Sequence, residues 1–500
     1  MRLITKAGIF TLALSLFGAG FLCAQDRRPY PRGAILDEAA YNRLLRKAPL
    51  APQSYEGLPK SFSLKQYAPL PGDQNDYGTC VAWASAYAAR TISESVALDR
   101  KNQTETTRNV FSPVYIYRNI RPDDPNCRAG TQIFLALDLM KKTGAVKMLE
   151  IERTVEFPQI DLALYQDTRK YPIADYVPLF FRDDKSKPGL IPRAVKKSLT
   201  EGKPVIIGMN TPASFIEATK VWKPAEDPTE NYGGHALCVV GYDDEKNGGS
   251  FEVMNSWGRK WGNGGFMWIP YTAFVDFVLE AYEIVENLSA YSDTAAFSGF
   301  IQVEILDEAG PQIAALEQTA PGFYRIAAPL RGETKIRFVA GSGESAYVYA
   351  FTASWRQDGD GGFYAPVQIF PQNGVSPLLN YRNSTIFLPG EDKPLVLDGA
   401  PGTEYLFLLY SKEALNLRDL MRRFEQAEGN PGQRLSAALG FHLMPPGAGY
   451  RENAAAFSQE TADRRATAAL MVAIDHWSPV GGGGGGGGGG RGGGGGRGAR

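Results

Sequence analysis

Five hundred residues with 44% hydrophobic and 11% aromatic content exceed what one compact core organises, which points to two globular parts with tails. Lysine and arginine number 53 against 54 aspartates and glutamates, a balance that excludes a whole-chain electrostatic footprint for nucleic acid or an anionic membrane. No repeat of roughly 20 to 50 residues is visible, so solenoids and propellers are set aside.

The chain opens with Arg2 and Lys6, the apolar run IFTLALSLFGAGFL, and small or polar residues around Cys23, Ala24 and Gln25. This is the pattern of an export signal over residues 1–24. The apolar run is shorter than the roughly 20 residues of a spanning helix, so cleavage near Ala24 is expected, with no stable membrane insertion. Cys23 invites lipidation, but Leu22 is bulky where lipoprotein processing wants a small residue. The expected location is periplasmic, secreted or cell-surface. Cleavage leaves Cys80, Cys127 and Cys238, an odd number that makes no disulfide scaffold and leaves at least one free thiol to explain.

Residues 25–60, rich in Pro and Arg, read as an N-terminal extension or short pro-segment. All the chemically suggestive residues fall within 61–288. In PGDQNDYGTCVAWASAYAAR, Cys80 follows Gly78 and Thr79 and opens a helical run. The unpaired amides of a helix N-terminus stabilise a thiolate, which is the nucleophilic form. A lone cysteine there is more often plain core. The second segment, NYGGHALCVVGYDDEKNGGSFEVMNSWGRKWGNGGFMWIPY, changes that balance. His235, one of three histidines, begins the strand ALCVVGY, and about twenty residues later the strand FEVM delivers Asn255. Hairpin pairing would set the two side by side as a base and its orienting group. Cys238, three residues past His235 on the same strand, faces the opposite side and reads as core.

With these residues in place, the chain resembles the papain family of cysteine peptidases, in the divergent form of bacterial exported proteins. Four stretches carry the resemblance: QNDYGTCVAWA, PNCRAGTQIFLALDLMKKTGAV, GGHALCVVGYDD and MNSWGRKWGNGGFMWI. It implies Cys80 as nucleophile, His235 as base, Asn255 as its orienting group and Gln74 as oxyanion donor. It also implies that the Gly130 backbone pairs with substrate and that Trp257 shields the His–Asn hydrogen bond. Departures are Val81 where the family usually has Trp, with Trp83 two positions on, and Tyr77 where many members have a cysteine bonded to the one matched by Cys127. The family disulfide is therefore not expected. The long helical propeptide is missing too, which puts latency through a pro-segment in doubt.

Beyond residue 290, Ile301, Val303 and Ile305 alternate with Gln302 and Glu304, and KIRFV, AYVYAF, PVQIF, STIFL, PLVL and YLFLLY follow at sandwich-like spacing. Residues 295–445 are expected to form a β-rich accessory domain, resembling a domain of unknown function that accompanies bacterial peptidases. A helix with Leu415, Leu417, Leu420, Met421 and Phe424 on one face is expected to pack on it. DGDGG at 358–362 hints at a calcium loop, but Ile369 stands where an EF-hand places its bidentate Glu, so a turn is expected. Residues 446–480 read as a tail segment. From 481 the chain is nearly all glycine with Arg491, Arg497 and Arg500, a disordered tether rather than an RNA-binding tail.

The expected fold is α+β: a papain-like two-lobed cysteine peptidase domain followed by a β-sandwich-like C-terminal domain. The expected function is hydrolysis of peptide bonds in protein or peptide substrates through a thioester acyl-enzyme. Neither a metal nor another cofactor is needed, since His442 and His476 lack acidic or cysteine neighbours at ligand spacing. The alternatives are a thiol-dependent transamidase or isopeptidase, and a non-catalytic binding protein on a peptidase fold. The intact set of Gln74, Cys80, His235 and Asn255 argues against the last. The region after 290 holds no group the mechanism needs, and removing it is expected to leave small-peptide hydrolysis largely intact provided the catalytic part buries no apolar surface against it. The sequence leaves the oligomeric state open.

Overall fold

The protein is described by a computed structural model over residues 30–181, 189–286, 295–355, 365–397, 401–444, 449–451, 454–461 and 466–477. Residues 1–24 with Cys23, read as an export signal, residues 358–362, read as a turn, and the glycine-rich tail lie outside the described residues. Among those residues, no helix is long and apolar enough to cross a membrane.

A helical lobe is built around the helix that Cys80 opens. It runs as an α stretch Cys80–Ala82, a π stretch Trp83–Arg90 and an α stretch Thr91–Ala97. Alanines at 82, 84, 86, 88 and 89 leave room for neighbours on all sides, and every residue from Cys80 to Ser95 is buried. Trp83 packs over Gly72, where a Cβ would come within 2.2 Å of its ring, and against Tyr87 at 4.8 Å between ring centroids. The departure from the family at Val81 and Trp83 thus coincides with a widened helical turn. Helices Pro113–Ile120 and Ile133–Lys142 support this one. The first is started by Ser112, whose Oγ accepts from the Tyr115 amide at 2.9 Å, and by Pro113 at its first position.

The second lobe is a seven-stranded antiparallel sheet: β1 (Ser61–Ser63), β2 (Asp175–Phe181), β3 (Val205–Asn210), β4 (Gly234–Asp243), β5 (Ser250–Met254), β6 (Phe266–Pro270) and β7 (Val278–Val285). Its order is β2-β7-β3-β4-β5-β6, with β1 on β4. The Cys80 helix and this sheet share one apolar core.

The C-terminal half is a sandwich. One sheet holds Lys335–Ser342 between Ser384–Leu388 and β8 (Ala295–Asp307), and the other holds Gly402–Ser411 between Ala346–Trp355 and Thr467–Trp477. Ile301, Val303 and Phe338 meet Val348, Leu406, Leu408 and Leu470 in the space between the sheets. The second sheet is apolar on its outer face too, because Tyr349, Phe351, Phe407 and Leu409 are covered by Leu420 and Phe424 of helix Leu417–Gln426 and Leu435 of helix Pro431–Leu439. Residues 446–480, read as a tail from the sequence, instead supply strands Ala456–Thr461 and Thr467–Trp477. The run AALMVAI lies in the middle of a doubly covered sheet and so lacks the alternation that marks a half-exposed strand.

The two halves are not independent. Residues 37–58 pass between them: Ala48 and Leu50 join the sandwich core, while the Tyr41 hydroxyl donates to Phe180 O of β2 at 2.6 Å. Lys47 pairs with the fully buried Glu283 of β7 and reaches Asn380 Oδ1 at 2.6 Å. The Glu283 carboxylate also accepts from Asn380 at 2.6 Å, Tyr381 at 2.7 Å and Ser198 at 2.6 Å. Burial works against this charge, but Lys47 and Lys203 hold the carboxyl below its ordinary value. The condition set for a separable C-terminal region is not met, because Val177 and Val285 pack on Leu378 of the sandwich, and Asn380 and Tyr381 satisfy a charge buried in the other half. Lys47→Met, which leaves Glu283 buried without its cation, is expected to lower unfolding free energy by about 3 kcal/mol or more. Adding Glu283→Gln should recover part of that loss in denaturant titrations.

Candidate active site

Cys80 sits at the helix start, fully buried. His235 is the second residue of β4, and Asn255 follows the last residue of β5. The strands pair antiparallel, with Cys238 opposite Met254, which brings His235 Nε2 to 2.8 Å from Asn255 Oδ1. That oxygen also accepts from the Ser256 backbone amide at 2.7 Å. A backbone N–H can only donate, so the atom is the carbonyl oxygen and His235 Nε2 carries the proton. His235 Nδ1 is then the free base position, and it is buried without a hydrogen-bond partner. The Cys80 thiol lies against the backbone of Ala236, the residue after His235.

Gln74, 1% exposed, is fixed in the same way. Its Oε1 accepts from Ser256 Oγ at 2.6 Å and its Nε2 donates to Tyr77 O at 2.7 Å. Trp257 is buried and stacks on the His235 ring, 4.3 Å between centroids at 26°, covering the His–Asn hydrogen bond. Cys127 and Cys238 are free and buried. Cys127 meets the nucleophile loop through its carbonyl, which accepts from the Gly78 amide at 2.8 Å. His476 is buried and His442 half-buried, both in the C-terminal half and away from this site.

Sequence reading did not find that residues 30–36 lie in the cleft between the lobes as a strap. Tyr30 stacks on the Trp257 ring at 4.8 Å. Gln74 Nε2 reaches Pro31 O at 3.3 Å. The Gly33 backbone lies against the Cys80 sulfur, Gly33 O accepts from Thr131 N at 2.8 Å, Ile35 N donates to Thr131 O at 2.9 Å, and Ala34 N donates to Gly234 O at 3.1 Å. Gly130, expected to pair through its backbone, has its N–H taken by the Tyr117 hydroxyl at 2.9 Å and its carbonyl taken by Arg121. The pairing passes to Thr131, and Gly130 supplies clearance, since a Cβ there would lie 2.4 Å from Gly33 O. A Cβ on Gly33 would in turn lie 2.1 Å from Gly78 O. The one local signal for the strap is that glycine in PYPRGAIL, whose need for close approach is visible only in three dimensions.

Burial dominates the electrostatics of the site, and two strap residues, Gly33 and Arg32, contribute to it. Burial pushes the Cys80 thiol up to about 11, opposed by the backbone amides of Ala236, Gly33, Val81 and Cys80 itself. Burial pushes His235 down to about 4, against the Asn255 hydrogen bond and with a further contribution from Arg32. Thiol and imidazole are both neutral in this closed form.

The family model described as papain family cysteine protease matches residues 174–281, the lobe that carries His235 and Asn255. That stretch is similar to a papain-like cysteine peptidase domain. Over 246 residues it is 27% identical to an uncharacterized peptidase C1-like protein of Acanthamoeba polyphaga mimivirus, covering 46% of this chain and 74% of that one. Similar solved structures include xylellain, a cysteine protease from Xylella fastidiosa, at 24% identity, covering 51% of this chain and 96% of that chain with a TM-score of 0.41. Another is a procathepsin B from Trypanosoma congolense at 15% identity, covering 52% and 87% with a TM-score of 0.39.

In the papain-like domain, water admitted to the cleft would relieve the desolvation of Cys80. Displacing the strap with Gly33→Val, whose side chain meets Gly78 O, is expected to shift the alkylation profile of Cys80 to lower pH. Iodoacetamide labelling of the full chain across pH, with mass-spectrometric mapping of Cys80, checks this. An unchanged profile would show that the strap does not set the thiol's environment.

Proposed function

We propose that the protein is an exported cysteine peptidase that hydrolyses peptide bonds through a thioester at Cys80, held latent by residues 30–36. The observation that carries this reading is the buried, unpartnered Nδ1 of His235, with Nε2 tied to Asn255, next to a sulfur at a helix N-terminus. His235 Nδ1 takes the thiol proton as Sγ bonds to the substrate carbonyl carbon. The carbonyl oxygen takes the charge, held by Gln74 Nε2 and the Cys80 amide. Collapse breaks the C–N bond, and His235 returns the proton to the departing amine. Water, deprotonated at the same Nδ1, then cleaves the thioester and restores the thiol.

The strap fills this site, with the Gly33 backbone against the sulfur. Protein or peptide substrates would have to displace residues 30–36 to pair with Thr131 and Gly234.

Full-length Gly33→Val is expected to hydrolyse a fluorogenic peptide at least roughly 10-fold faster than the native chain, as the closed population falls. Adding Cys80→Ala should abolish that hydrolysis with thermal stability little changed, and residual turnover above background would overturn the reading. Gln74→Ala in the Gly33→Val background should lower kcat by roughly 10²- to 10³-fold, the usual effect of losing one oxyanion donor.

A further inference from the structure

The Trp83 indole is seated by its benzo edge. Gly72 leaves room for that edge, since a Cβ there would come within 2.2 Å of Cζ3, 3.0 Å of Cη2 and 3.1 Å of Cε3. The pyrrole N–H lies on the opposite edge of the ring system, and Trp83 Nε1 is buried without a hydrogen-bond partner. A buried indole N–H ordinarily finds an acceptor, because leaving it bare costs the desolvation of a polar group.

A second bare donor faces the same place. Asn255 Oδ1 is committed to His235 Nε2 at 2.8 Å and to the Ser256 amide at 2.7 Å, which turns Nδ2 of the planar amide away from the imidazole. Asn255 Nδ2 is buried, again without a hydrogen-bond partner. Trp83 is 7% exposed and Asn255 3%. Both line a cavity between the Cys80 helix and strands β4 and β5, bordered also by Tyr87, Ala88, Ala236 and Met254. Its volume is about 10 Å³, room for one water molecule. Among the described residues no charged side chain lines it, so an anion there would lack a counter-charge. The Tyr87 hydroxyl donates to Leu70 O at 2.8 Å and keeps lone pairs for a hydrogen of the water itself.

We propose that this cavity binds one water molecule that accepts from both Trp83 Nε1 and Asn255 Nδ2, which makes Trp83 a positioning residue for the His235–Asn255 pair. The role of Trp83 rests on the peptidase reading, whereas the water site does not. The water lies on the side of the amide away from the imidazole, so it does not compete with His235 for Oδ1. It ties the far end of the Asn255 amide to the helix that carries Cys80, so that one helix places both the sulfur and, through the amide, the His235 ring. Trp83 opens the π stretch of that helix, the kind of irregularity that recurs at functional sites.

Two measurements on the full chain test this. A high-resolution crystal structure is expected to show one water within hydrogen-bond distance of both Trp83 Nε1 and Asn255 Nδ2. No water there, or one that reaches only one of the two donors, would overturn the site. The second measurement follows alkylation of Cys80 by iodoacetamide at neutral pH in the Gly33→Val chain, where the rate reads how well His235 draws the thiol proton and needs no peptide turnover. Trp83→Phe removes the N–H and keeps an aromatic ring beside Gly72. It is expected to slow alkylation roughly 5-fold when Asn255 is present and by less than roughly 2-fold in the Asn255→Ala background, the non-additivity of residues that act through one another. Equal slowing in the two backgrounds would assign Trp83 to packing alone and overturn its positioning role. Should Asn255→Ala by itself leave the rate unchanged, the peptidase reading falls and the role of Trp83 with it, while the crystal structure still decides the water site.

Discussion

Asn255 Oδ1 takes two hydrogen bonds, from His235 Nε2 at 2.8 Å and from the Ser256 amide at 2.7 Å, and the rest of the site depends on them. The backbone donor fixes which amide atom faces the ring, the ring tautomer follows, and the tautomer decides which ring nitrogen is left free. The next two residues extend the same control. Ser256 turns its hydroxyl to Gln74 Oε1 and so aims the Gln74 amide, and Trp257 lies over the imidazole. Three consecutive residues thus set the orientation of the His235 ring, the aim of the Gln74 amide and the cover over the imidazole. Burial strengthens each of these contacts, because no solvent molecule is available to replace a partner.

The cleft is shaped by close approach of backbones rather than by side chains. Gly33 against Gly78, Gly130 against Gly33 and Gly234 against Ala34 all lie nearer than any Cβ would allow. Such a floor pairs with an extended chain through main-chain groups and is indifferent to most of that chain's side chains. The strap uses it, and a substrate would use the same Thr131 and Gly234 groups. Residues 30–36 hold on by a few hydrogen bonds, one ring stack and the packing of Ala34 and Leu36, whereas residues 37–58 are built into both halves through Tyr41, Lys47, Ala48 and Leu50. Local opening of the strap therefore does not require the two halves to part.

The C-terminal sandwich shows how much burial alters a sequence pattern. Where one face of a strand meets the core and the other meets solvent, as around Ile301 and Val303, alternation survives and the strand is readable. Where helices 417–426 and 431–439 cover the outer face, Phe407 and Leu409 are as buried as Leu406 and Leu408. Period-two patterning then disappears, and a strand such as Thr467–Trp477 looks like any apolar run.

Chemistry carried by short, contiguous stretches was legible from the sequence alone. Cys80 before a helical run, His235 opening one strand and Asn255 following another were enough to bring His235 and Asn255 together, because antiparallel pairing of two neighbouring strands is a local constraint. The strands at Ile301, at KIRFV and at YLFLLY were legible for the same reason, as was the amphipathic helix with Leu420 and Phe424. Only the tertiary structure decided the long-range contacts. It put Gly33 on the Cys80 sulfur, Trp83 and Asn255 around one cavity, Lys47 on Glu283 with Asn380, and Thr131 rather than Gly130 in the pairing role. Each of these joins residues far apart in the chain, and none leaves a periodic or compositional trace. Their partners are chosen by the shape and polarity of a cavity that exists only once both lobes and the sandwich have assembled.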